Sequence, residues 1–178
     1  RIFDEAYNCE MLYATLSGGE CLVRKDFKEL YLHLWNKRVM ITIMTNGTLL
    51  NDDYVEFFKI YQPELIQVSL YGSSEEGYLQ VTGHKGFEKA IAAISTLQEA
   101  GIDVRVAVTP SKYMKDDFIN ILRLCKEKGF YSPLTDITLV PNRDDPEKDD
   151  YYLTNDEMFS LTKQRMELYK VLTPVENI

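Results

Sequence analysis

Five short runs rich in β-branched and aromatic residues recur along the chain, at Met11–Leu16, Val39–Met44, Leu65–Tyr71, Asp103–Val108 and Asp136–Val140. Apolar runs of this length read as strands. Four amphipathic stretches separate them. Phe27, Leu30, Tyr31 and Leu34 form one stripe, and Tyr54, Phe57, Phe58 and Tyr61 the next. Phe87, Ala90, Ile91, Ile94 and Leu97 form a third, and Phe118, Ile121, Leu122 and Cys125 a fourth. Spacings of three and four put each set on a single helix face. Strands alternating with helices pair in parallel, joined by right-handed crossovers, and strands covered on both faces become nearly continuous apolar runs. Gly101 and Gly129 follow the last periodic residues, where a left-handed residue ends a helix. Thr154 and Glu157 make a capping box for a final helix running to about Leu172.

A closed eight-stranded barrel usually takes about 250 residues. The 178 residues here hold five units, so the expected fold is α/β: parallel βα repeats forming a partial, about five-stranded TIM-like barrel. Residues 1–150 are its core and residues 151–178 a C-terminal helix. The stretch Asn142–Asp150 reads as a solvated acidic loop. Twenty-eight acidic against 20 basic residues leave a net charge of −8, which disfavours a nucleic-acid backbone binder. No apolar stretch reaches the roughly 18–20 residues of a membrane span. Three cysteines, at 9, 21 and 125, suggest no disulfide framework, so a reducing, cytoplasmic interior is expected. Cys9 and Cys125 are expected as packed thiols, His33 as structural and His84 as solvated. The 12 tyrosines are assigned to stripes and helix ends.

Ligand sites of parallel α/β folds form at the carboxyl ends of the strands. Ser17-Gly18-Gly19-Glu20 follows the first run, Thr45-Asn46-Gly47-Thr48 the second, and Ser69 lies near the end of the third. Two glycines let a ligand approach the backbone closely. Glu20 beside them repels phosphate and suits an amine or a sulfonium, and no phosphate-loop motif occurs. Taken alone, Gly-Gly-Glu is more often a plain tight turn; its position after a strand favours a ligand site.

LSGGECLVRKDF, then ITIMTNGTLL, then IQVSLYGSSEEGYLQVTGHKGFEKAIAAISTLQEAGIDV, in this order, closely resemble the radical S-adenosylmethionine (radical SAM) enzymes. Within them the likeness is to the SPASM-type branch of peptide and sulfatase maturases. The resemblance implies that Ser17, Gly18, Gly19 and Glu20 bind the methionyl amino group, with Thr45, Asn46 and Gly47 on the cofactor side of the second strand. It places Ser69 at the ribose or the carboxylate end, Arg105 at the carboxylate, and Val140 and Pro141 near the adenine. Cys21 stands where the family usually has Pro, and Tyr71 where it commonly has Asp. The implied cofactors are S-adenosylmethionine and a 4Fe-4S cluster that cleaves it reductively to a 5′-deoxyadenosyl radical for hydrogen abstraction. Implied partners are a peptide or protein substrate and a reductant such as flavodoxin or ferredoxin. The C-x-x-x-C-x-x-C cluster loop does not occur here. It is expected just upstream of Arg1, which leaves this fragment inactive by itself, and the final helix is expected to lead into a further C-terminal module. Exposed sheet edges suggest self-association. Two other readings remain: a non-catalytic α/β-barrel binding relative, and a phosphate-binding α/β-barrel lyase.

Overall fold

The computed structural model describes residues 1–131 and 151–172, with the side chains of the last three left aside. Four parallel strands form one sheet in chain order: β1 (Tyr13–Leu16), β2 (Met40–Thr45), β3 (Leu65–Ser69) and β4 (Val104–Ala107). The register runs Thr15 to Thr42, Met44 to Gln67 and Gln67 to Arg105, so these side chains share one face of the sheet. The opposite face carries Ile41, Ile43, Ile66, Val68, Val104 and Val106, all buried under helices. Burial therefore alternates along each strand, although the sequence runs are nearly continuous, because helices cover only one side. Closure into a barrel is not seen among the described residues. The expected strand at 136–140, and with it Val140, Pro141 and the acidic loop, lies outside them. Beside β4, Val106 N donates to Tyr131 O (2.9 Å).

Helices α1 (Ile2–Asn8), α2 (Phe27–Trp35), α3 (Asp52–Ile60), α4 (Glu75–Thr82), α5 (Phe87–Glu99), α6 (Phe118–Glu127) and α7 (Asn155–Leu172) complete the described elements. The four stripes pack as expected; Phe27 and Tyr31 meet the Phe58 ring, and Tyr31 that of Phe57, in an aromatic cluster. Tyr31 is fully buried, yet its hydroxyl donates to Tyr61 O (2.7 Å), which satisfies it. Gly101 and Gly129 adopt left-handed φ of 71° and 68° at their helix ends. The capping box forms as expected: Glu157 N donates to Thr154 Oγ1 (3.3 Å), and Thr154 N to Glu157 Oε2 (2.8 Å).

Two features depart from the sequence reading. The β3-to-β4 crossover contains a second helix, α4, capped by the Ser74 hydroxyl, which accepts from Gly77 N, and ended by Gly83 at φ 73°. It buries only Tyr78, so no apolar stripe announced it. Cys9, expected as a packed thiol, is exposed at the C-terminus of α1, a helix that buries none of its residues. Phe3, partly buried, packs α1 against the core, and polar contacts add to it. Asp4 reaches His33 (2.8 Å) and Lys37 (3.1 Å) at the end of α2, and the Lys37 ammonium lies over the Tyr7 ring.

Candidate functional site

The loops that follow the strands enclose a cleft of about 880 Å³ at the carboxyl end of the sheet. Ser17, Gly18 and Gly19 line it after β1, Thr45 and Asn46 at and just past the end of β2, and Ser69 at the end of β3. Six of the sequence-proposed residues are therefore brought together. Gly18 takes φ +147°, and a Cβ on either Gly18 or Gly19 would meet nothing within 4 Å. The glycines thus leave open space beside the backbone rather than accommodate tight packing, which is what close approach of a ligand requires.

Glu20 does not line the cleft. Its Oε1 accepts from Leu22 N (3.1 Å) and Thr45 Oγ1 (2.8 Å), and its Oε2 from Asn46 N (2.8 Å). The carboxylate lashes the β1 loop to the β2 loop, and Thr45 Oγ1 passes the tie on by accepting from Gly47 N. Cys21, where the family usually has Pro, is buried beside it with Sγ 3.4 Å from Met44 O. Burial and the neighbouring Glu20 push its thiol up to about 11, so it stays protonated at neutral pH. Gly47 lies behind the cleft at φ +77°; its Cβ would press on Val68 and on Ala90 and Ala93 of α5.

Two more carboxylates brace the remaining loops. Asp117, the residue before α6, accepts from Ser73 N (2.6 Å) and Ser73 Oγ (2.5 Å), fixing the turn after β3. Glu75 accepts from Gly86 N (2.9 Å) and Glu88 N (3.4 Å), which closes the loop between α4 and α5 on the start of α5. Neither reaches the cleft.

Arg105 is not among the cleft residues. It stands on the same sheet face as Gln67, and its guanidinium lies over the Tyr131 ring at 5.6 Å from the centroid. The cations that line the cleft come from the loop between α4 and α5 and the start of α5: Lys85 and Lys89, beside His84, which is solvent-exposed as expected and yet forms part of the wall. Tyr71, Tyr78, Ser111 and Tyr151 also line it. Tyr78 is buried against Tyr71, 5.6 Å between centroids, and burial holds its hydroxyl up to about 12. Assigning the tyrosines to stripes and helix ends missed this wall; the signal lay in their position, two and nine residues past the end of β3. No group of three or more metal-binding side chains occurs among the described residues, and the three thiols are free.

The chain is similar to known proteins over much of its length. The model of the radical SAM superfamily matches residues 2–125. The AdoMet-dependent heme synthase of Methanosarcina barkeri is 31% identical over 127 residues, covering 71% of this chain and 36% of that protein. The sporulation killing factor maturation protein SkfB of Bacillus subtilis is 30% identical over 118 residues, 66% of this chain and 28% of that one. Among solved structures, anSMEcpe with bound AdoMet and Cp18Cys peptide superposes with a TM-score of 0.73 at 19% identity, over 88% of this chain and 46% of that chain. The chain thus spans about a third of the length of these curated relatives.

Proposed function

Since this chain belongs to the radical SAM superfamily, we propose that it is the core of an enzyme that cleaves S-adenosylmethionine to start hydrogen abstraction from a peptide or protein. The observation that carries this reading is the cleft itself. Open glycine backbone at Gly18-Gly19 and the polar ends of β2 and β3 meet at the rim where ligands of parallel α/β folds bind. The peptide class follows from SkfB, a maturation protein, and from the fold of anSMEcpe, which holds AdoMet and a peptide together.

The residues fit S-adenosylmethionine. Ser17, Gly18 and Gly19 offer carbonyls and open space to the methionyl ammonium, Asn46 lies across from them, and Ser69 presents a hydroxyl to the ribose. Glu20 works one step behind, with its charge biasing the loop toward a cation while its oxygens hold Asn46 and Thr45 in place. Val140 and Pro141 remain the proposed adenine contacts. Arg105 contributes from the sheet face beneath the cleft rather than from its wall.

The residues do not fit a 4Fe-4S cluster. Cys9 is exposed at a helix end, Cys21 is buried and bonded to the β2 backbone, and Cys125 is buried on α6. With no other cysteine in the sequence, the chain by itself does not turn over under this proposal, and no cluster chemistry is assigned to its residues. When bound elsewhere in the protein, such a cluster supplies the electron that S-adenosylmethionine cleavage needs, replenished by a flavodoxin- or ferredoxin-like donor. Three free thiols suit a reducing, cytoplasmic setting, and among the described residues no helix is long and apolar enough to cross a membrane.

The test is anaerobic reconstitution, with iron and sulfide, of the polypeptide that carries this chain. Formation of 5′-deoxyadenosine on adding a strong reductant is the expected outcome. A loaded protein that forms none would leave the non-catalytic binding relative as the better reading.

A further inference from the structure

At the end of β2 the polar groups of the cleft are engaged within the chain: Thr45 Oγ1 donates to Glu20, and Asn46 Oδ1 accepts from Thr48 N (2.9 Å) and Thr48 Oγ1 (2.7 Å). Thr82 Oγ1 likewise donates to Tyr78 O and His84 O. Other groups of the wall have no partner among the described residues. Ser111, 4% exposed just past β4, carries the one buried side-chain polar atom that lacks a hydrogen-bond partner among the described residues. Tyr78, 3% exposed, has a hydroxyl that makes no hydrogen bond within them. Lys85 and Lys89 form no ion pair there, whereas Lys28, Lys37, Lys59 and Lys115 each hold a carboxylate.

A buried hydroxyl without a partner costs stability, and native structures rarely keep one without a use. Rotation about χ1 turns the Ser111 oxygen among staggered positions without moving the backbone, so it can meet an incoming group. Serine and tyrosine hydroxyls and lysine ammonium groups all donate, and the lysines cannot accept. The complement is an acceptor-rich anion. A phosphate would look for free amides at the start of α5, but Gly86 N and Glu88 N are already held by Glu75. A carboxylate needs no such cradle. In the reading above the cofactor's amino group, ribose and adenine have their contacts at β1, β3 and residues 140–141 and its carboxylate has Arg105, which leaves Ser111 for the substrate.

We propose that Ser111 and Tyr78, with Lys85 and Lys89, form the subsite that binds an acidic residue of the peptide substrate. The inference rests on the cofactor reading of the cleft, and the test separates the two. In the intact protein, S-adenosylhomocysteine and two fluorescein-labelled decapeptides, one alternating Gly with Glu and the other Gly with Gln, are titrated against wild type, Ser111→Ala and the Lys85→Ala/Lys89→Ala double variant. The Glu peptide should bind wild type about fivefold or more tighter than the Gln peptide, and the double variant should lose that preference. Ser111→Ala should weaken the Glu peptide, spare S-adenosylhomocysteine, and melt at or above the wild-type Tm, because it removes an unpaired hydroxyl. A lower Tm would mean that the hydroxyl is internally satisfied and would overturn the proposal. Weakened S-adenosylhomocysteine with an unchanged peptide would assign Ser111 to the cofactor and overturn it too, as would wild type showing no preference for Glu. If wild type binds the Glu peptide with preference but not S-adenosylhomocysteine, the cofactor reading fails and the subsite stands.

Discussion

Glu20 shows how one side chain can be read correctly in its setting and differently in its work. Its place beside Gly18-Gly19 was plain from the order of residues. Its partners were not, because Thr45 and Asn46 lie 25 and 26 residues away and meet it only once β1 and β2 pair. Glu20→Ala should cost about 2 kcal/mol in urea unfolding, the scale of a hydrogen bond to a charged group, and Glu20→Gln less, since one acceptor oxygen remains. The glycines separate along the same line. A Cβ at Gly72 would drive into the backbone of Gly77 and Tyr78, so Gly72→Ala should lose about 2–3 kcal/mol. Gly19→Ala, with open space around it, should keep the wild-type Tm while weakening S-adenosylhomocysteine binding in the intact protein. Ser111 and Tyr78 gave no such warning in the sequence: an unpaired hydroxyl is a property of the packed surroundings, not of the residue. Thiol reactivity follows burial in the same way. Cys9 should react with a disulfide reagent at pH 8 in the native chain, whereas Cys21, held up near 11, and buried Cys125 should react only on unfolding.

Elements with an apolar stripe were legible, and α7 was legible from its capping box; α4 was not. The helices α2, α3, α5 and α6 each bury a face that three-and-four spacing reveals. Helix α4 buries one residue and is made by its ends, Ser74 and Gly83. Helix α1 fully buries none; Phe3 packs against the core and charge adds to it. Lys37 and His33 hold the Asp4 carboxyl at about 2, down from 3.8. A depressed folded-state pKa stabilises fully above the unfolded value and is lost as pH falls through the folded one. The docking of α1 on α2 should therefore persist above about pH 4 and loosen toward pH 2, and Asp4→Asn should loosen it at every pH. Amide exchange of residues 2–8 reads both outcomes; unchanged protection in Asp4→Asn would show that other contacts carry α1. At the other end, Thr154→Ala should cost about 1 kcal/mol by uncapping α7, which Leu161 and the pairing of Lys115 with Glu157 (2.7 Å) tie to the body.

On the scale of the whole molecule the sheet is open. Among the described residues β1 pairs only with β2, and the sheet face above it exposes Tyr13, Met40 and Met44. Unpaired edges and uncovered apolar faces favour association, so sedimentation of the isolated chain should shift to larger species as concentration rises. The order of strands was legible because each run is followed by its crossover helix.

The three carboxylate braces have a wider consequence. Glu20, Glu75 and Asp117 join loop to loop through backbone amides and hydroxyls, all of them behind the cleft and none facing it. Stability and selectivity are thereby written in separate residues. Under the proposed subsite, Lys85 or Ser111 can change to suit a new substrate while the rim keeps its shape, so such a scaffold can diversify without first losing its fold.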